Sequence, residues 1–551
     1  IIMPTRYWRR WEMYFPFSKL FHRDLFDRMF TAYGYALVYV DVRGTGASFG
    51  SRQYPWSSRE LRDLYSILDW TEGQDWCDGS IGVCGTSYGG TSSEFMAAMG
   101  HPALKAAIIR YSLFDVYEDI AFPGGVQNEW FVSKWGEFNQ ALDANAIPDS
   151  LPWFMSLLVR GCAPVDSDTE DSRDVHVRAL MDHIVNGDIH AAAESVRFRD
   201  EPAEDAGVSV DAFSPHRFWR ESGSSSLPLY VWGGWFDGAY AHSLLARLDT
   251  LDNPQRVVIG PWNHGGEEHV SPYLAAGTEV DPPLKVQYLE QLRFFDFHLK
   301  GKGEKPVEEC IYYTFGRESW ARAETWPPGP VEDISLSLAA DNTLLFADDP
   351  DISNPEEAAG AEADSGMDVY EVRWDVGSGE ENRWRTQLGR SDVVYADRAE
   401  QDQKLLVYES APLDRELTIL GHPRFQGLVS SSHADAAVFL YLESVGPDGK
   451  VHYLSEGLAG LIHGPAGELP SYLGQDRREV APGERVPLVI RLLPVAVAIP
   501  AGHRIRLAVA CADRDQFKRR VSDEEASLTM YRSEDAPSII ILPVAAEEPA
   551  S

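Results

Sequence analysis

The chain of 551 residues is too long for a single hydrophobic core, so two or three domains are expected. Hydrophobic residues at 44% and aromatics at 11% can fill those cores, which excludes wholesale disorder. A formal net charge of −36 repels phosphate and so excludes nucleic acid and anionic membrane as partners.

The first third alternates apolar runs with helical patterns. "YALVYVDVRG" (Tyr35–Gly44) is a continuous β-rich run of the kind buried on both faces. The stretch Arg59–Gly73 then places Leu61, Leu64, Tyr65 and Leu68 on one helical face. A short strand, "SIGVCG" (Ser80–Gly85), runs into a helix over Thr86–Met99, and "ALKAAIIRYS" (Ala103–Ser112) is the next strand. From about Leu113 to Leu227 the text turns helical and loop-like. Strands return at Leu227–Asp237 and Gln255–Trp262, separated by a helix near Ser243–Leu251 and closed by one over Val286–Gly301. Alternating β and α predicts a parallel sheet with helices on both faces, interrupted by a helical cap.

Beyond Trp326 short alternating runs dominate, separated by turn chemistry such as Pro447-Asp448-Gly449. That text predicts an all-β sandwich or jelly roll, with the acidic, alanine-rich segment Asp348–Asp364 as an exposed loop. The expected partition is therefore residues 1–113 with 227–326 as an α/β domain, 114–226 as the cap and 327–551 as the β domain.

Two pentapeptides fit Gly-x-Ser-x-Gly, around Ser48 and around Ser87. A nucleophile elbow needs a strand, a sharp turn and an immediate helix, which together lift the hydroxyl above the strand end beside free N–H donors. Ser48 is followed by "GSRQYPWSS", a polar stretch with Pro55 and no helix, and reads as a surface-loop serine. The same absence of a helix argues against a dinucleotide-binding turn over Gly44–Gly50. Ser87 has both the strand and the helix. An orienting carboxylate and a base should follow on later strand ends, in the order Ser, acid, His. Asp237 closes one such strand and His264 sits just past another.

With these residues assembled, the sequence resembles the cocaine-esterase and Xaa-Pro dipeptidyl-peptidase family of α/β-hydrolases. The matching text is "DVRGTGASFG", "WCDGSIGVCGTSYGG", "GGWFDG", "GPWNHG", "IPAGHRIRLAVACAD" and "PSIIILP", spread over almost the whole chain. The resemblance implies an α/β-hydrolase domain with an inserted helical cap and a C-terminal jelly roll. It also implies Ser87 as nucleophile, His264 as general base and acid, and Asp237 as the orienting carboxylate. Tyr7, in "MPTRYWRR", and the backbone N–H of Tyr88 would then form the oxyanion hole. Family members usually carry an antiparallel β segment ahead of this point, so the sequence is expected to continue upstream of Ile1.

Substrate divides the family. Amino-acid ester hydrolases place acidic residues just after the catalytic Asp to hold a substrate ammonium; here Gly238, Ala239 and Tyr240 follow Asp237. Glu267, Glu268, Asp115, Glu118 and Asp119 are the remaining acidic candidates, and a solvated acidic surface is the expectation for all five. Plain esterases enclose an acyl group with aromatic cap residues, a role expected of Trp130, Phe131, Trp135 and Phe236. The reading is a serine carboxylesterase acting on a small-molecule ester or amide. The alternatives are an Xaa-Pro dipeptidyl-peptidase or α-amino-acid ester hydrolase, and a catalytically inert carbohydrate-binding protein.

No cofactor is called for. The five cysteines are scattered and without CxxC spacing, so neither a disulfide framework nor a metal site is expected. No run reaches the ~18 apolar residues of a membrane span. A cytoplasmic location is expected, although a leader ahead of Ile1 would not be visible. Assembly as a homo-oligomer is left open.

Overall fold

Seven parallel strands and one antiparallel strand make the sheet that carries the site. They are β1 (Ile2–Thr5), β2 (Val38–Asp41), β3 (Ile81–Thr86), β4 (Leu104–Arg110), β5 (Leu229–Gly234), β6 (Gln255–Gly260), β7 (Cys310–Thr314) and β8 (Ser319–Ala323). Their order is β8-β7-β6-β5-β4-β3-β1-β2, with only β8 antiparallel to its neighbour. The computed structural model describes residues 1–17, 24–166, 168, 170–204, 206–222, 226–347, 366–388, 393–464, 468–522, 525–533 and 537–546. The expected loop at 348–364 lies outside those residues.

The period-2 alternation of strand side chains sorts the apolar residues of β3 and β4 between two cores. Val83, Ala107 and Ile109 face one way, against α2 (Ser58–Glu72), α3 (Tyr88–Ala98) and α6 (Tyr240–Thr250). Cys84, Ala106 and Ile108 face the other, against α1 (Leu25–Ala32) and α7 (Leu284–Lys300). Helix α2 starts where Ser57 accepts a hydrogen bond from the Glu60 N–H, the N-cap geometry that orphan helix donors favour.

Two expectations need correction. The run Tyr35–Gly44 yields only the four-residue β2, which is the edge strand and only partly buried, because β1 takes the interior place beside β3. Strands β7 and β8 also extend the sheet beyond the expected last strand. Strand β8 lies half-exposed at the rim, so no buried apolar run marks it, whereas β7 is largely buried but only five residues long, too short a run for periodicity to assign.

The segment between β4 and β5 is mostly helical, with α4 (Glu129–Asp143) and α5 (Ser172–His183) its longest elements. It also contributes a strand, Val159–Cys162, that pairs with Trp11–Met13 and ties the insertion to the N-terminal segment.

Among the described residues from Val331 onward, thirteen strands form one branched array of the β-rich, jelly-roll-type domain. Its longest hairpin pairs Ala437–Val445 with Val451–Gly460 through the expected Pro447-Asp448-Gly449 turn, where Gly449 has φ +85°. This domain is fused to the first, since Phe315, just after β7, bonds through its backbone to Ala496 and Ala498. One continuous core runs through both.

Candidate active site

Ser87 sits between β3 and α3 with φ 60° and ψ −124°, a conformation that a non-glycine residue adopts only when its surroundings impose it. Those surroundings are tight. A Cβ at Gly85 would strike the Gly89 carbonyl group, and one at Gly89 would come within 2.6 Å of the Pro4 carbonyl oxygen. Both glycines of the pentapeptide are therefore required where strand, turn and helix meet. The Ser87 N–H donates to the Arg110 carbonyl at the end of β4 (3.0 Å), and its carbonyl accepts from Thr91 in α3 (3.0 Å).

Ser48 has the same pentapeptide and a different role. Its hydroxyl donates to the Asp41 carbonyl (2.6 Å), and the Asp41 carboxylate accepts from the N–H groups of Arg9 and Ala47. The loop is packed under the cap rather than lying free on the surface as expected. His183 of α5 contacts the Ser48 carbonyl (2.8 Å), so the serine is half-buried and its oxygen is committed.

Asp237 follows β5 and is fully buried. Its Oδ2 accepts from His264 Nδ1 at 2.8 Å, which leaves Nε2 as the imidazole's free acceptor. Nε2 is buried and makes no hydrogen bond. The imidazole lies between the rings of Tyr111 and Tyr240, at centroid distances of 5.7 and 5.2 Å. Arg110 joins this loop to the elbow, because its carbonyl holds the Ser87 N–H while its guanidinium donates to the Gly265 carbonyl (2.9 Å). Ser87 and His264 are not hydrogen-bonded to one another. Such contacts are commonly long in unliganded sites and tighten around substrate.

The Tyr7 hydroxyl accepts from the Trp135 indole N–H (2.9 Å) and has Ser87 within hydrogen-bonding reach. Burial pushes its pKa up, opposed by the Arg6 guanidinium, so Tyr7 keeps its proton and can donate it. Tyr88 is the first residue of α3, so no carbonyl within the helix accepts its N–H. Its hydroxyl is spent on Glu60 (2.7 and 2.9 Å), and burial lifts that carboxyl to about 7.

Ser87, Tyr7 and Tyr88 open into a pocket of about 960 Å³, counting its open mouth. Phe131 and Trp135 of α4 line it, with Val116, Ile120 and Phe122 before them and Ile189, Val196 and Phe213 after. Among the described residues none of the lining side chains carries a charge. Trp130 and Phe236 lie elsewhere. The Arg385 guanidinium covers the Trp130 ring at 4.9 Å, and Phe236 stacks on Phe315 at 4.9 Å between the two domains. Nor do the acidic candidates reach the pocket. Asp115 pairs with Arg199, and Glu118 pairs with Arg491 at 2.6 Å. Asp119 is buried, accepts the N–H groups of Phe114 and Asp115, and is pushed up to about 8 by burial. Glu267 and Glu268 follow His264 and do not line the pocket either.

Residues 3–266 match the X-Pro dipeptidyl-peptidase (S15) family, and residues 302–541 match the X-Pro dipeptidyl-peptidase C-terminal non-catalytic domain. A protein of Mycobacterium tuberculosis named as a serine esterase is 38% identical over 99% of this chain and 90% of its own length. The chain belongs to the S15 family. The cocaine esterase of a Rhodococcus species is 24% identical, over 93% of this chain and 88% of its own. The solved structure of an alpha-amino acid ester hydrolase superposes with a TM-score of 0.70 at 19% identity, covering 99% of this chain and 91% of that one, which shows the shared fold. This S15-family chain is a serine hydrolase, in keeping with those relatives.

The C-terminal domain of this S15-family hydrolase reaches the site, which the sequence did not foretell. Asp237 Oδ1 accepts from the Thr386 hydroxyl (2.8 Å) and from Gln387 Nε2 (2.9 Å). Gln387 also lines the pocket. Nothing local marks these residues, because they lie 149 and 150 positions from Asp237 and only tertiary packing joins them.

Proposed function

We propose that this hydrolase cleaves carboxylic esters whose acyl group is apolar and uncharged, through a Ser87–His264–Asp237 triad. What carries the reading is that Ser87, raised on its strained turn, opens into a pocket without a charged side chain. In this mechanism Ser87 Oγ attacks the ester carbonyl carbon while His264 Nε2 takes the hydroxyl proton. Asp237 holds the imidazole in the tautomer with its proton on Nδ1 and stabilises the imidazolium that forms. The Tyr7 hydroxyl and Tyr88 N–H donate to the carbonyl oxygen as it becomes an oxyanion. The imidazolium then protonates the departing alcohol, leaving an acyl-Ser87 ester. Water, deprotonated by His264, hydrolyses that ester and restores the serine.

Substrate selection follows from desolvation. A free ammonium in this pocket would lose its hydration without gaining a carboxylate, since Asp115, Glu118 and Asp119 are engaged elsewhere. The test compares kcat/KM for an ester of a neutral apolar acid with that for its α-ammonium analogue. The neutral ester is expected to lead by about 100-fold or more. Preference for the ammonium ester would instead support an amino-acid ester hydrolase or dipeptidyl-peptidase.

A further inference from the structure

We propose that the C-terminal β domain completes the catalytic machinery, with Thr386 and Gln387 as positioning residues that hold the Asp237 carboxylate aimed at His264. The inference rests on the triad reading above and goes beyond it, because the domain is otherwise a non-catalytic appendage.

A carboxylate that is fully buried must have its lone pairs met by donors, or its charge becomes costly to keep. The α/β domain supplies one partner to Asp237, His264 Nδ1 on Oδ2. Both partners of Oδ1 come from the segment 382–388 of the β domain. The Thr386 hydroxyl donates at 2.8 Å and Gln387 Nε2 at 2.9 Å, while Nε2 also reaches Thr386 Oγ1 at 2.9 Å. The amide orientation follows, since only the nitrogen of Gln387 can donate to a carboxylate.

The donors are held as firmly as the acceptor. Arg383, fully buried, donates Nε to the Gly238 carbonyl (2.7 Å) and Nη2 to the Trp235 carbonyl (2.6 Å), clasping the turn on both sides of Asp237. The Gly238 N–H answers by donating to the Arg383 carbonyl (2.7 Å). Behind them Trp384 anchors the segment by its indole N–H on Glu456, and Asn382 Oδ1 accepts the Trp384 N–H (2.8 Å). The two domains therefore meet backbone to backbone at the residue that orients the base. A mere packing contact would need no such pair of donors on one carboxylate oxygen.

Removing a donor from Oδ1 leaves that buried oxygen less well satisfied and the carboxylate looser in its aim at His264. Thr386→Val keeps shape and burial but deletes the hydroxyl, and Thr386 does not line the pocket. We expect Thr386→Val to lower kcat about ten-fold with KM nearly unchanged. The acid limb of its kcat/KM profile should move to higher pH. Thr386→Ser should restore both, and Thr386→Val with Gln387→Met should lose about 100-fold. Asp237→Asn is measured in parallel. If Asp237→Asn is inactive while the Thr386 and Gln387 variants keep wild-type kcat and pH profile, the positioning role is overturned and the triad stands. If Asp237→Asn keeps its activity, the triad reading falls first. Should Thr386→Val fail to fold, the comparison of Gln387→Met with wild type reads the same acid limb. An unmoved limb there contradicts the proposal.

Discussion

Ser87 and Ser48 share a pentapeptide, and the difference between them lies in what each hydroxyl can still do. The Ser48 hydroxyl already donates to the Asp41 carbonyl, so Ser48→Ala should cost about 1 kcal/mol of stability and leave kcat near wild type. Ser87→Ala should lower kcat by about 10⁴-fold or more with little change in melting temperature, since its site accommodates a small side chain. Steady-state kinetics on the two purified variants check both. Tyr7→Phe divides an oxyanion role from a packing role. Loss of one oxyanion donor typically costs about 10²–10³ in kcat, with KM much less affected. The same substitution removes the acceptor of the Trp135 indole, so a stability loss of about 1–3 kcal/mol should accompany it. A Tyr7→Phe protein with full kcat would remove Tyr7 from the mechanism.

At the scale of elements, the site depends on a strand, a turn and a helix meeting without room for a Cβ. Gly89→Ala would press a methyl against the Pro4 carbonyl of the neighbouring strand, which cannot move away, so we expect a loss of about 3 kcal/mol by thermal denaturation. The elbow helix α3 is tied to α6, which follows Asp237, by Glu94 and Arg247. Arg247 donates to both Glu94 oxygens, at 2.8 and 2.6 Å, and both side chains are fully buried. Glu94→Leu would strand the guanidinium in the core at a cost of about 3–5 kcal/mol, read as a lowered denaturation midpoint. These elements were legible in the sequence because each leaves a local signal: an apolar run, a helical apolar face, a glycine pair, a strand end. The rim strand β8 left none, because exposure breaks the alternation that marks a strand, and the buried β7 is too short for its apolar run to be assigned by periodicity. Phe236 and Trp130, expected in the pocket and found outside it, mark the same limit. Aromatic character marks a side chain that packs against others but not against which, and their partners Phe315 and Arg385 come from distant segments.

Across the whole molecule, buried ionisable groups set how stability follows pH. Burial raises Glu60 to about 7, Asp119 to about 8, Glu443 to about 8 and Asp513 to about 6. A carboxyl whose folded pKa is raised stabilises fully below its unfolded pKa, near 4, and loses that contribution as pH rises through the folded value. Burial acts oppositely on His463, lowered to about 3, and on His242 and His422, both well below the ordinary range. Their contribution is complete above about 6.5 and lost as pH falls below it. Asp119→Asn isolates one term, because an amide oxygen can still accept from Phe114 and Asp115. Its melting temperature should gain on that of the wild type as pH rises from about 4 to 8. A difference independent of pH would mean that Asp119 is ionised throughout. That an α/β hydrolase domain precedes a β-rich domain could be read from composition and periodicity, but not the hold that the second exerts on Asp237. That contact spans 149 positions, so no local pattern records it. A covalent acyl-enzyme on Ser87 is tested by an apolar phosphonate ester, read through the intact mass of the folded protein. One adduct per chain is expected, mapped to Ser87 and absent from Ser87→Ala. An adduct on another residue, or none on protein that hydrolyses an ester, would contradict it.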